Sequence, residues 1–294
     1  MGDISTLTSL TYKYFPLLFH KLGLSKLRLI ASILSTLSWW CLPFRRGLAL
    51  RAIEKHLDVS LPTAKRLAKE SFTENFLSFL ESMLIPSFGF ECSSLIMAQG
   101  DLLKKIQMLQ RPIVATTAHL GAWELLAGLL GDFSTVTPSA VVVRNYKNTF
   151  IHEITTKLRS SRGAIVLGHR QATRSILRIL HKNGTVAFLV DHNTSQKEAI
   201  FLPFLGELAA INIGPALLAI RSKALVLPLF LVRENNKYIF WVDDPLDTCL
   251  LKGNNTEKVE TVASFYTEAV EKAILRTPNQ WFWMHNRWKT RPSI

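Results

Sequence analysis

The chain has 294 residues, of which 48% are hydrophobic and 19% charged, and it carries a formal charge of +13. That length suits one sizeable core with an appended segment, and the composition is too apolar for an ordinary soluble enzyme yet too polar for a multi-span transporter. The charge calls for a polyanionic partner; with no RNA-binding signature, zinc-finger spacing or basic zipper, an anionic membrane surface is favoured and nucleic acid is excluded.

The N-terminal 60 residues read as a membrane-associating helical segment. Residues 29–44 form an uncharged stretch with Lys21, Lys26 and Arg28 before it and Arg45, Arg46 and Arg51 after it. A spanning helix needs about 20 apolar residues, and this stretch is shorter, serine-rich and contains Pro43. Basic flanks on both sides give no orientation, and no small-residue cleavage site follows. An interfacial anchor fits better than a full span or a buried helix, with Trp39 and Trp40 both at headgroup level.

Residues 61–294 read as one α/β domain. Phe72, Phe76, Phe79, Leu80, Met83 and Leu84 recur at three- and four-residue spacing, which predicts a helix over 61–85 with Glu70 and Glu74 on other faces. Ser60 and Pro62 mark its start, and Pro86 to Gly89 its end. Beyond Gly100, strands and helices alternate. Strands are expected at 111–119, 140–144, 164–167, 185–190, 225–232 and 238–242, the last two forming a hairpin over Glu234-Asn-Asn236. Helices are expected after Gly121 and at 150–162, 171–182, 213–221 and 256–276. This alternation implies a central sheet covered by helices on both faces.

Several chemistries are excluded by inspection: there is no G-x-S-x-G elbow, no G-x-G-x-x-G, no H-E-x-x-H and no phosphate loop. Cys41, Cys92 and Cys249 lie far apart with no C-x-x-C pair, so neither a disulfide framework nor a zinc knuckle is indicated. What remains is His119-Leu-Gly-Ala-Trp-Glu124. In a straight helix, residues five apart are rotated by roughly 140° and do not meet. They can meet if His119 ends a strand, Gly121 turns the chain and Glu124 opens the next helix. A carboxylate on one ring nitrogen then makes the other a better base. The spacing equally allows a glutamate that merely complements the start of a helix.

Further blocks resolve that ambiguity. Val143-Arg144-Asn145-Tyr-Lys-Asn148, Phe188-Leu-Val-Asp191-His192-Asn193, Phe201-Leu-Pro-Phe204-Leu-Gly206 and Gln280-Trp-Phe-Trp-Met-His285-Asn-Arg287-Trp-Lys289 accompany the histidine box. Together with the basic-flanked N-terminal pattern through Phe72-Thr-Glu-Asn75, they make the chain resemble the bacterial lipid A late acyltransferases, the lauroyl- and myristoyl-transferring enzymes of lipopolysaccharide assembly. Two positions depart from the family pattern: Asn145 stands where proline is usual, and His192 where glutamine is usual.

The resemblance implies a mixed, mostly parallel sheet of glycerolipid-acyltransferase type. It also implies acyl carrier protein as thioester donor, a glycolipid hydroxyl as acceptor, and a place at the cytoplasmic face of the inner membrane. No cofactor beyond the donor's acyl-phosphopantetheine is expected. By the resemblance His119 is the general base and Glu124 its orienting partner. Arg144 is the candidate for a phosphate or oxyanion contact, followed by Arg159 and Arg162, and Asp191 is a strand-end carboxylate that shapes the site. A metal at Asp191-His192 is rejected because no third ligand is spaced nearby. Phe201 to Phe204 are candidates for an acyl tunnel, Arg174 and Arg178 for meeting an acidic carrier protein, and Arg287, Lys289 and Arg291 for meeting lipid phosphates.

Overall fold

The computed structural model describes residues 2–132, 137–144, 146–169 and 172–292; Asn145 of the arginine block and Gln171, the expected first residue of a helix, lie outside them. Three helices come first: α1 (Gly2–Cys41), α2 (Pro43–Leu57) and α3 (Leu61–Glu81). α1 is kinked at Gly23, whose φ of 72° is a conformation that L side chains rarely adopt. α2 opens on Pro43, where the missing N–H leaves no helical bond unmade, and the two helices meet at 99°. Among the described residues no single helix is long and apolar enough to cross a membrane; α1 and α2 pass that test only as a bent pair.

One face of α1 is packed, with Leu27 and Ala31 meeting Leu77 of α3. Trp39 is buried against Phe72, ring centroids 5.4 Å apart and edge-on. The expectation that both tryptophans reach headgroup level therefore fails for Trp39, because α3 covers it; Trp40 is 71% exposed. The other face of α1 exposes Leu29, Ile33, Leu37 and Trp40, continued by Phe44 of α2. These positions recur at three- and four-residue spacing and form one apolar stripe.

α3 ends four residues earlier than its periodicity suggests, passing into a tight turn over Ser82–Ser87 that contains Pro86. Its buried face is only in part the one its phenylalanines mark: Phe72 is buried but Phe79 is exposed, and Glu74 and Glu81 are buried. The buried guanidinium of Arg233 explains the choice. Its Nη1 donates to Glu74 at 2.8 Å and its Nε to Glu81 at 2.9 Å, and Arg28 of α1 holds the other Glu74 oxygen at 2.5 Å. Each buried charge thus has an opposite charge and a hydrogen bond, the condition under which such charges are tolerated.

The sheet is built from β1 (Leu95–Met97), β2 (Ile113–Thr117), β3 (Ser139–Val143), β4 (Ile165–Gly168) and β5 (Thr185–Leu189), joined later by β8 (Leu225–Glu234), β9 (Lys237–Val242) and β10 (Leu246–Asp247). Its order is β1-β9-β8-β2-β5-β3-β4, with β10 pairing β8. β2 runs parallel to both β5 and β8, and β3 parallel to both β4 and β5. β8 and β9 pair antiparallel with each other, the short β10 runs antiparallel to β8, and β1 runs parallel to β9. The expected mixed, mostly parallel sheet is the one observed. Asn235 and Asn236, with φ of 49° and 60°, give the hairpin a turn whose twist matches its strands.

Alternation along the central strands feeds two cores. Val114, Val186 and Val226 point to one face, packed by α2, α3, α7 (Thr173–His181), α8 (Gly214–Ser222) and α9 (Asn255–Arg276). Ile113, Ala115, Ala187 and Leu227 point to the other, packed by α4 (Gly100–Met108), α5 (Trp123–Leu129) and α6 (Thr149–Ser160). A separate hairpin of β6 (Ala199–Phe204) and β7 (Glu207–Asn212) takes up the Phe201–Gly206 block.

Candidate active site

Sheet register builds the centre of the site. In the parallel pair β2–β5, Thr117 stands opposite Leu189, and the Val190 N–H donates to the Thr117 carbonyl at 2.9 Å. Two residues further along each strand the same offset brings His119 beside Asp191. The His119 N–H donates to Asp191 Oδ2 at 2.9 Å, and Nδ1 lies 2.9 Å from Oδ1. A carboxylate can only accept, so Nδ1 carries the hydrogen and the neutral ring keeps its lone pair on Nε2. Trp281 Nε1 donates to Asp191 Oδ2 at 2.8 Å as well. Burial pushes the Asp191 carboxyl up, yet the attraction of His119, and then of His192 and His285, outweighs it and holds the acid far below the usual carboxylate range.

This corrects the expected dyad: the carboxylate on His119 is Asp191, and Glu124 is engaged elsewhere. Gly121, with φ of 63°, turns the chain where an added Cβ would stand 2.3 Å from the Leu231 carbonyl oxygen. That turn starts α5 along the opposite face of the sheet and carries the buried Glu124 with it towards α6. There its two oxygens accept from Arg159 Nε at 2.9 Å and Nη2 at 2.7 Å. Burial alone would lower the Arg159 guanidinium, but Glu124 and then Tyr146 raise it above its ordinary value.

The His119 loop is braced from the C-terminal block. Leu120 bridges to Trp281, Gly121 N–H donates to the Gln280 carbonyl at 3.1 Å, and Phe282 N–H donates to the His119 carbonyl at 3.0 Å. Ser71 of α3 in turn donates to the Trp281 carbonyl at 2.5 Å. The tryptophan block therefore braces the loop and also donates directly to Asp191. Neither local spacing nor composition carries a signal for that bond.

A cavity of about 500 Å³ opens over these strand ends. Arg144, Arg159, His119 and His192 line it together with Trp123, Tyr146, Phe188 and α7 residues such as Ile176. A narrower apolar pocket adjoins it, sharing Trp123, Val142 and Phe188 and running along Leu126, Leu130 and Leu229. The carboxyl ends of parallel strands are where α/β sheets place ligands.

The remaining candidates divide. Arg144 is exposed and lines the cavity, and Arg159 lines it while buried. Arg162 does not line it; its guanidinium is drawn to Asp132 at 2.7 Å and Glu91 at 3.3 Å. Phe204 is packed against Trp281 and Trp288 rather than lining an acyl tunnel. Arg287 is buried, donates to the Ala210 carbonyl at 2.8 Å and has no access to lipid phosphates. Arg291 pairs with Glu207 at 2.7 Å, and Lys289 is exposed. Arg174 and Arg178 are both exposed on α7.

The argument that Asp191 and His192 lack a third metal ligand is overturned, because the ligand atoms of His119, Asp191 and His192 lie within 4.8 Å of one another. Their arrangement nevertheless suits hydrogen bonding better than an ion. The His119 and His192 rings are stacked 4.0 Å apart with planes 3° from parallel. Imidazole lone pairs lie in the ring plane, so two such rings cannot both point at one ion about 2.0–2.1 Å from each nitrogen.

Comparison with known proteins places the chain in a family. Residues 62–290, which hold all but the first residue of α3, the whole cavity lining and the tryptophan block, match the model of the family described as bacterial lipid A biosynthesis acyltransferase. The chain is 28% identical over 195 residues to the lipid A biosynthesis palmitoleoyltransferase of Escherichia coli (strain K12), covering 65% of this chain and 60% of that protein. It is 28% identical over 193 residues to the lauroyltransferase of the same organism, again covering 65% and 60%. To the lipid A biosynthesis acyltransferase of Haemophilus influenzae it is 25% identical over 186 residues, covering 61% and 56%. The chain thus spans about 60% or less of the length of these relatives. With the family model covering the sheet, the histidine–aspartate pair and the cavity above them, the chain belongs to the bacterial lipid A biosynthesis acyltransferase family.

Proposed function

We propose that this chain transfers a fatty acyl group from acyl carrier protein to a hydroxyl of a Kdo-bearing lipid A precursor, at the cytoplasmic face of the inner membrane. The observation that carries the reading is the His119–Asp191 pair, with Nδ1 2.9 Å from Oδ1, at the wall of a cavity of about 500 Å³. His119 Nε2 takes the proton of the acceptor hydroxyl as its oxygen attacks the thioester carbonyl. Collapse of the tetrahedral intermediate breaks the C–S bond, and the His119 proton goes to the leaving thiolate. Asp191 fixes the tautomer and stabilises the imidazolium between those steps.

Glu124 acts through Arg159, holding that guanidinium at the cavity wall, where it meets phosphate or developing negative charge beside Arg144. The narrow apolar pocket beside Trp123 offers the acyl chain an apolar wall where it adjoins the cavity. Arg174 and Arg178 offer an acidic carrier protein a basic contact on a helix that also lines the cavity. The exposed stripe from Leu29 to Phe44, with Arg45 and Arg46 next to it, supports residues 1–60 as the part that rests on anionic lipid.

The reading is tested with detergent-purified protein, acyl carrier protein thioesters and a Kdo-bearing lipid A precursor, with the lipid analysed by mass spectrometry. The expected product is heavier by one acyl chain, and His119→Ala lowers its rate at least about 100-fold. Transfer only to another glycolipid, phospholipid or aminolipid overturns the acceptor. Free fatty acid released without acceptor makes the chain a hydrolase, and full activity in His119→Ala overturns the mechanism.

A further inference from the structure

A second imidazole stands beside the first. His192 follows Asp191 in the chain, lines the same cavity, and stacks on His119 at 4.0 Å with the two planes 3° from parallel. Among the described residues neither ring nitrogen of His192 has a hydrogen-bond partner. The ring is half-buried at the cavity wall, where its nitrogens are open to whatever polar group enters the cavity. The groups acting on it are His119, Asp191, His285 and Arg144, with the His285 ring 5.5 Å away. Burial, and then the adjacent His119, pushes His192 down to about 3, so the ring stays uncharged next to a histidine that must become a cation during turnover. An uncharged imidazole still offers one N–H donor.

The proposed acyl transfer has two reacting oxygens. One is the hydroxyl oxygen that loses its proton; the other is the carbonyl oxygen on which negative charge develops. At attack the hydroxyl oxygen and the carbonyl carbon lie about 3–3.5 Å apart, so the oxygen on that carbon comes within reach of a donor on the ring stacked against His119. We propose that His192 donates a hydrogen bond to the carbonyl oxygen of the acyl group under attack, while its stacking partner His119 takes the hydroxyl proton. This assignment rests on the acyl-transfer reading. The His192 N–H bond lengthens but does not break: the only proton moved goes from the hydroxyl to His119 and then to the departing thiolate. A second charged imidazole at this distance would oppose the His119 imidazolium, whereas a neutral donor stabilises the oxyanion without that repulsion.

The test compares His192→Phe, which keeps a flat ring against His119 but has no donor, with His192→Gln, which restores an N–H. Both are assayed with wild type and His119→Ala, using acyl carrier protein thioester and the precursor found to be acylated, after thermal unfolding has shown that they fold. Should the Phe variant fail to fold, His192→Met removes the donor at similar volume. The expected result is a kcat lowered about 100-fold or more without the donor, KM within about threefold of wild type, and kcat in His192→Gln recovered to within about tenfold. Wild-type kcat in the Phe or Met variant, a change confined to KM, or equal loss in the Gln variant overturns the assignment. A wild-type protein that transfers no acyl group to any acceptor overturns the acyl-transfer reading instead, so the two failures are distinguishable.

Discussion

His119 Nδ1 and Asp191 Oδ1 are 2.9 Å apart although 72 residues separate them in the chain. The same separation divides Thr117 from Leu189, their paired neighbours in β2 and β5. The pairing of the two side chains is thus a property of strand register, and any change that slips β2 against β5 dissolves the site before it unfolds the protein.

Asp191→Asn is the sharpest test of that relationship. An amide preserves the shape but offers an N–H2 where the imidazole needs an acceptor, favouring the wrong tautomer. The expected loss in kcat is about 10²–10⁴-fold with little change in KM. Steady-state kinetics at saturating precursor check it, and wild-type kcat would return the orienting role to another group.

Glu124→Gln is expected to act first on stability. It leaves the buried Arg159 guanidinium without a counter-charge, a situation that costs about 3–5 kcal/mol and lowers Tm on the order of 10 °C. Adding Arg159→Met removes the stranded charge, so the double variant melts above the single one while activity stays low. Differential scanning calorimetry of the two variants measures the order directly.

Acid should loosen the fold from the histidine side first. His192 is held down to about 3 in the folded chain, against about 6.5 unfolded. Between those values only the unfolded chain binds the proton. The stability it contributes is therefore complete above about pH 6.5 and falls as pH drops towards 3. His285 and His56, both lowered chiefly by burial, act in the same sense. Asp191, whose folded value lies below its ordinary one, keeps its contribution until the pH falls under about 3.9. Tm measured from pH 8 to 4 should decline with falling pH below about 6.5, and His192→Gln should flatten that limb.

Much of this architecture was legible in the sequence because its signals are local. Strands β2, β3, β5, β8 and β9 and helices α6, α8 and α9 follow from alternation and turn residues. Strand order carries no local signal. The reading of His119 therefore reached for Glu124, five residues away, and took Asp191 only as a shaping carboxylate. The buried glutamates of α3 went unread for the same reason: the cation that admits them, Arg233, lies more than 150 residues further on. The β6–β7 hairpin was missed because its Phe-Leu-Pro-Phe segment reads equally as an apolar lining.

Gly121→Ala should abolish both activity and ordinary expression. The position needs a positive φ, and the new Cβ would stand 2.3 Å from the Leu231 oxygen and 2.9 Å from Val232 Cα, both of them backbone. No rotamer change relieves a clash with a main chain, so the expected phenotype is a sharp fall in Tm, read by thermal unfolding. A variant with wild-type Tm and activity would mean that the turn tolerates another path.

Membrane attachment is expected to depend on the exposed stripe. Trp40→Glu with Phe44→Glu should weaken co-sedimentation with anionic vesicles while leaving Tm unchanged, because both side chains are more than half exposed. Binding should fall further as salt screens Arg45 and Arg46. Unaltered vesicle binding would move the contact to another face.

The ion pair between Arg28 and Glu74 also bears on how this protein can be handled. An N-terminal segment that only tethered the chain to a membrane could be trimmed away to yield a soluble catalytic unit. Here Leu27, Ala31 and Trp39 are interior residues, and Arg28 supplies half the neutralisation of a carboxylate that reaches Arg233 in the sheet. Cutting off α1 would strip the lid from α3 and unbalance that charge cluster. Solubility is better sought by recolouring the stripe from Leu29 to Phe44 with polar residues, leaving the helix in place.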